Sequence, residues 1–212
     1  MNAPIAMFMA GWYHFWKSCA WLALFLLFRI RAFGVRNIPR TGGAIIASNH
    51  QSYLDPMILG SGLARRIYYM ARGTLFHPPL ISWYLHSVGA FPVRPGEGDR
   101  EAFRNALGIL AAGRVLVIFP EGHRSRDGNL LPMKSGVEVI AERAGVPVIP
   151  AWIHGAGKAW PKGRVFFRMR PVRVVYGPPI PVAGRARGEA LAEIRAWMET
   201  TRAGLERKGG PE

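Results

Sequence analysis

Cysteine is nearly absent from this chain of 212 residues: Cys19 stands alone, so no disulfide framework supports the fold. Carboxylates are also scarce, with 13 Asp and Glu against 28 Lys and Arg, and the formal net charge is +15. From Met1 to Gly96 there is one carboxylate, Asp55, against nine basic residues. No run of eighteen apolar residues occurs, which argues against a multi-span membrane protein. No Gly-x-Ser-x-Gly elbow is present, so the serine nucleophile of that motif is missing. What remains is half apolar, too apolar for a disordered tail and long enough for one domain with a core. A basic surface with one acid in its first half seeks anions: nucleic acid, anionic lipid, phosphorylated substrate or an acidic protein.

The most apolar stretch lies near the N-terminus, from Phe8 to Phe28, with Trp12, Trp16 and Trp21 and the run Trp21–Phe28. Ser18 to Phe28 makes about 16 Å of helix, half of a hydrocarbon core. Arg29, Arg31, Arg36 and Arg40 follow directly, where a cleaved signal would carry small residues. Tryptophans at headgroup level and arginines beside them suit a helix or helix pair lying in one leaflet of an anionic membrane. A single span and a buried core helix are the alternatives. The expected organisation is a membrane-docking segment over 1–32, a catalytic domain over 33–207 and a frayed tail over 208–212.

The remainder alternates. Ala44–Ser48 and Val115–Phe119 read as buried strands, Ile67–Met70, Val146–Trp152 and Val165–Tyr176 as further strands. Asp55–Leu63, Leu80–Val88, Asp99–Ala112, Gly136–Ala144 and Glu189–Leu205 read as helices, with Gly113 and Gly145 as stops. Ser52 stands three before Asp55, at capping-box spacing. Such alternation implies an α/β fold, a mostly parallel central sheet flanked by helices, with sites where strands run out into loops.

Polar clusters follow the expected strand ends. His50 lies just past the first buried strand, five positions before Asp55. On a continuous helix those side chains would stand about 140° apart, so they meet only if the chain bends between them. A strand-to-helix corner gives that bend, and a carboxylate on one imidazole nitrogen leaves the other as a general base. Equally, Asp55 caps its helix and His50 is a loop residue. With no protein nucleophile in view, the paired reading implies that the substrate itself is deprotonated. Phe119-Pro120-Glu121-Gly122-His123-Arg124-Ser125 forces a tight loop presenting Glu121 and Arg124. Gly89–Pro95 sets Arg94 at a loop edge, and Lys134 precedes a helix N-terminus, itself an anion site. Arginine is a planar fork for phosphate, although each of these basic residues also reads as a solvated charge.

In this order the segments resemble the glycerolipid acyltransferase family, the 1-acylglycerol-3-phosphate (lysophosphatidate) acyltransferases. Asn49–Asp55 is similar to its His-x4-Asp motif, Gly89–Arg94 to its second block, Phe119–Ser125 to its third and Val146–Pro150 to its fourth. The chain carries His123 where the third block usually has Thr, and Met133 where Phe is usual. The resemblance implies that His50, oriented by Asp55, deprotonates a glycerol hydroxyl that attacks a thioester of acyl-CoA or acyl-carrier protein. The product is phosphatidic acid, without acyl-enzyme, metal or cofactor. It implies that Arg94, Glu121, Gly122, Arg124 and Lys134 shape the site for the lysophospholipid headgroup. It places the enzyme at an anionic membrane surface, on the cytoplasmic face of the inner membrane, as a monotopic or single-span protein. Another lysolipid or a glycan as acceptor fits the same blocks. A membrane-tethered scaffold would need a damaged His-Asp pair. A nucleic-acid-binding module has only the charge in its favour, and no nucleic-acid partner is expected.

Overall fold

Apolar runs that lack alternation belong in a sheet covered on both faces, and three such runs form the centre of this one. The computed structural model describes residues 12, 15, 16, 18, 19, 22, 25–93, 100–161 and 166–207. Its strands are β1 (Arg31–Phe33), β2 (Ala44–Ser48), β3 (Ile67–Arg72), β4 (Ala90–Val93), β5 (Val115–Ile118), β6 (Val148–His154) and β7 (Arg173–Tyr176). Its α-helices are α1 (Asp55–Ser61), α2 (Pro79–Ser87), α3 (Arg100–Ala111), α4 (Gly136–Ala144), the single turn α5 (Ala156–Ala159) and α6 (Glu189–Arg207). The sheet order is β1-β7-β6-β2-β5-β3-β4. From β6 to β4 all neighbours are parallel, whereas β7 runs antiparallel to β6 and carries β1 parallel to itself. This is the α/β fold with a mostly parallel sheet that the alternation implied.

Successive residues of the central strands feed opposite cores. Ile46, Val117 and Ile149 pack with Ile58 and Leu59 of α1. Ile45, Leu116 and Val148 pack with Ala106 and Leu110 of α3, Val137 and Ile140 of α4, and Ile194 and Met198 of α6. Each fully buried Ile or Leu contributes about 1.5–3 kcal/mol of transfer free energy. α4 stops at Gly145, whose φ of +63° is the left-handed conformation that terminates helices. Buried Glu138 of α4 accepts the Gly188 N–H through its carboxylate and so ties the entry of α6 to the core.

Three expectations change. The segment read as a strand over Val165–Tyr176 is a strand only from Arg173; residues 166–172 are irregular, and 162–165 lie outside the described residues. β6 ends at His154, paired with Arg173, so its ladder with β7 stops there. Second, Gly89–Pro95 was expected as a loop, but Ala90–Val93 is an edge strand, where Pro92 is tolerated. Third, half of the capping box forms: the Asp55 carboxylate accepts the Ser52 N–H, while the Ser52 hydroxyl donates to the Trp160 carbonyl instead of capping the helix.

Most of the expected docking segment and the whole of the tail lie outside the described residues. Phe25–Phe28 are helical, and Phe28 is buried in the core at the entry to β1. Residues 31 and 32, expected with the docking segment, belong to the sheet. Among the described residues no helix is long and apolar enough to cross a membrane.

Candidate active site

The parallel strands β2 and β5 are neighbours and end on the same edge, and the two motif loops leave from there. The chain turns sharply through residues 49–54 before α1 begins at Asp55. That corner closes the five-residue gap: His50 Nδ1 lies 2.8 Å from Asp55 Oδ2. The same oxygen accepts the N–H groups of Gln51 at 2.7 Å and Ser52 at 2.8 Å. Asp55 is fully buried, and a buried carboxylate stands only if donors replace water. Both sequence alternatives therefore hold together, since Asp55 satisfies the backbone at its helix entrance and also engages the imidazole. An ionised carboxylate only accepts, so in the neutral imidazole Nδ1 is the protonated nitrogen and Nε2 carries the lone pair. Nε2 makes no hydrogen bond to any described residue.

The imidazole cannot wander. It stacks on Phe119 with centroids 4.0 Å apart and 19° between planes. The His50 N–H donates to Glu121 Oε1 at 2.8 Å, and the His50 carbonyl accepts the Ser125 N–H at 2.8 Å. Just before it, buried Asn49 exchanges two bonds with the backbone of Ile153 on β6, accepting its N–H at 2.7 Å and donating to its carbonyl at 3.0 Å. Gln51 donates to the Gly128 carbonyl, joining the two motif loops.

Glu121 was expected to shape the headgroup site, and the structure gives it other partners. It is buried, and its two oxygens accept the N–H groups of His50 and Leu131. Burial raises its pKa, opposed by those two bonds. Gly122 has φ +71°, and a Cβ there would stand 3.1 Å from Lys134 Nζ. The bare glycine thus leaves room for the Lys134 side chain, whose backbone N–H is held by the Pro120 carbonyl. Arg124 places its guanidinium carbon 3.6 Å from the centroid of the Tyr53 ring, a cation–π contact that orients a planar cation. His123 is exposed. Farther along the loop, Asp127 accepts from Ser125 Oγ and from the Asn129 backbone and side chain, which lowers its pKa to about 2. Arg94 lies outside the described residues.

His50, Asp55, Glu121, Gly122, Arg124 and Lys134 therefore come together through two loops bonded to each other. The supporting residues Asn49, Tyr53, Phe119 and Ser125 were quoted in the motifs without a role. Their partners lie as far as 104 positions away, and no local pattern carries that signal.

A histidine paired with a buried carboxylate thus stands at the strand ends of an α/β sheet, with Arg124 and Lys134 on the neighbouring loop. Residues 29–154, more than half the chain, match the model of the Acyltransferase family, and the chain belongs to that family. It is 27% identical to the 1-acyl-sn-glycerol-3-phosphate acyltransferase of Bacillus subtilis, over 88% of this chain and 92% of that protein. It is 30% identical to a chloroplastic 1-acyl-sn-glycerol-3-phosphate acyltransferase of Brassica napus, over 77% of this chain and 48% of that protein. The chain thus spans about half the length of the chloroplast relatives it matches. The crystal structure of the Thermotoga maritima 1-acyl-sn-glycerophosphate acyltransferase superposes with a TM-score of 0.79 at 28% identity, covering 92% of this chain and 79% of that one.

Proposed function

We propose that this protein transfers a fatty acyl group from acyl-CoA or acyl-carrier protein to the sn-2 hydroxyl of 1-acylglycerol-3-phosphate, giving phosphatidic acid. The observation that carries the reading is His50 Nδ1 held on buried Asp55, with Nε2 unengaged among the described residues. The activities named for the Bacillus subtilis, Brassica napus and Thermotoga maritima relatives support the same acceptor.

In this mechanism Nε2 takes the hydroxyl proton as the oxygen attacks the thioester carbonyl carbon. The new C–O bond gives a tetrahedral oxyanion, which collapses with cleavage of the C–S bond. The imidazolium returns its proton to the leaving thiolate, and no side chain is acylated. Asp55 stabilises the imidazolium between the two proton transfers. Arg124, Lys134 and Arg94 hold the phosphate, Arg124 with its plane set by Tyr53. Glu121 and Gly122 serve the shape of the site rather than contacting the anion. The protein works at an anionic membrane surface on the cytoplasmic face of the inner membrane, where a lysolipid acceptor resides.

An acceptor panel tests this reading. Each thioester donor is offered with 1-acylglycerol-3-phosphate and with neutral 1-acylglycerol in mixed micelles. Phosphatidic acid and free thiol should form in equal amounts. Arg124→Ala should raise KM for the phosphate-bearing acceptor about 10-fold or more, as expected for a lost charge-assisted bond. Equal use of the neutral acceptor, or equal effects of Arg124→Ala on both, would contradict it.

A further inference from the structure

The connection between β6 and β7 begins and ends on the edge that carries His50. β6 runs parallel to β2 and stops at His154; β7 returns antiparallel from Arg173. Its neck is narrow: at Gly155, with φ +89°, a Cβ would stand 2.6 Å from the Pro171 carbonyl oxygen. Inside it, Trp160 gives its carbonyl to the Ser52 hydroxyl, and Ser52 also bonds to Asp55. The loop is therefore fastened to the catalytic corner itself.

Residues 166–170 of it are built unlike a solvated turn. Phe167 packs its ring 5.5 Å from Phe28 and 6.1 Å from Trp160, and the Arg168 N–H donates to the Ala159 carbonyl at 2.7 Å. Those contacts fix the backbone and turn the neighbours outward: Phe166 is 86% exposed and Met169 72% exposed. Arg168 is exposed between them and Arg170 is half-buried. Two bare apolar tips with cations at their base match the boundary between acyl chains and anionic headgroups. An acidic protein would also meet the arginines, but apolar tips with cations beside them are the arrangement of an interfacial lipid anchor. The helical turn Phe25–Phe28 that enters β1 rises beside this loop through the Phe28–Phe167 contact, and its Leu26 is exposed. Leu75 and Leu80, just past the end of β3 on the same edge, are exposed as well.

We propose that the loop around Phe166 and Met169 inserts into an anionic lipid surface and presents the His50 edge to it, in addition to any anchoring by the N-terminal stretch. Insertion reads no acyl transfer, so this inference stands or falls apart from the proposed activity.

The test uses the full chain in a Cys19→Ser background. A polarity-sensitive fluorophore is attached at Phe166→Cys, at Met169→Cys, or at Asn105→Cys on the exposed side of α3 as a control. With vesicles of mixed phosphatidylglycerol and phosphatidylcholine, emission from 166 and 169 should shift to the blue and rise several-fold, while 105 stays unchanged. Arg168→Gln with Arg170→Gln, or added salt, should weaken the response, and pure phosphatidylcholine should give much less of it. Labels at 166 and 169 that remain water-exposed while the chain co-sediments with vesicles would overturn the proposal. So would no vesicle binding at all, an equal response at 105, or a response to an acidic carrier protein and not to vesicles.

Discussion

Replacing Glu121 by glutamine keeps the shape of a buried side chain and removes one of its two acceptor sites. An amide then faces the N–H of His50 or of Leu131, leaving a buried donor unpaired at about 1–3 kcal/mol. Glu121→Gln should lower thermal stability and kcat while KM for the acceptor stays near wild type; a rise in KM alone would return Glu121 to the substrate. Asp55→Asn should cost on the order of 10²-fold or more in kcat, because an amide no longer stabilises the imidazolium, with the loss read in steady-state assays. The His50–Asp55 pairing was legible as a requirement, since only a bend reconciles a five-residue spacing with contact. The role of Glu121 was not, because its partners are backbone groups 71 and 10 positions away, and a motif shows a side chain without its acceptors and donors.

Helix stops and strand ends decide how the site is framed. Gly122→Ala would force a Cβ into the left-handed region, about 1–2 kcal/mol, and into Lys134. It should raise KM for a phosphate-bearing acceptor more than it lowers kcat. At the end of β6, His154 has its pKa lowered by burial first and then by Lys158 and Arg173, with Glu206 opposing and Arg202 reinforcing. The unfolded chain takes up a proton near pH 6.5 that the folded protein resists, so stability falls as pH drops below about 6.5 and recovers above it. His154→Gln should flatten that limb in thermal melts between about pH 5 and 7. The central strands were readable because burial on both faces removes polar alternation, as in Ala44–Ser48. β1 and β4 are edge strands of three and four residues, too short for a periodicity. The expected strand over Val165–Tyr176 is too long because its aromatic residues read as buried, whereas Phe166 faces outward.

Over the whole molecule the +15 charge divides into distinct uses. Arg65 binds the carbonyls of Pro39, Gly42 and Gly113, and Arg66 and Arg114 lie over Tyr68. Arg185, Arg195 and Arg202 pair with glutamates of α6. Such arginines hold the fold, which a count of charges along the chain does not separate from those that meet an anion. Arg124 and Lys134 stand apart on the loop that leaves β5 beside His50, and Arg168 stands on the outward loop between β6 and β7. Thioester consumption by wild-type protein and His50→Ala, both shown folded by circular dichroism, tests the account most directly. With 1-acylglycerol-3-phosphate as acceptor, His50→Ala should release thiol on the order of 10²-fold more slowly or worse. A folded His50→Ala protein turning over at the wild-type rate would contradict the account.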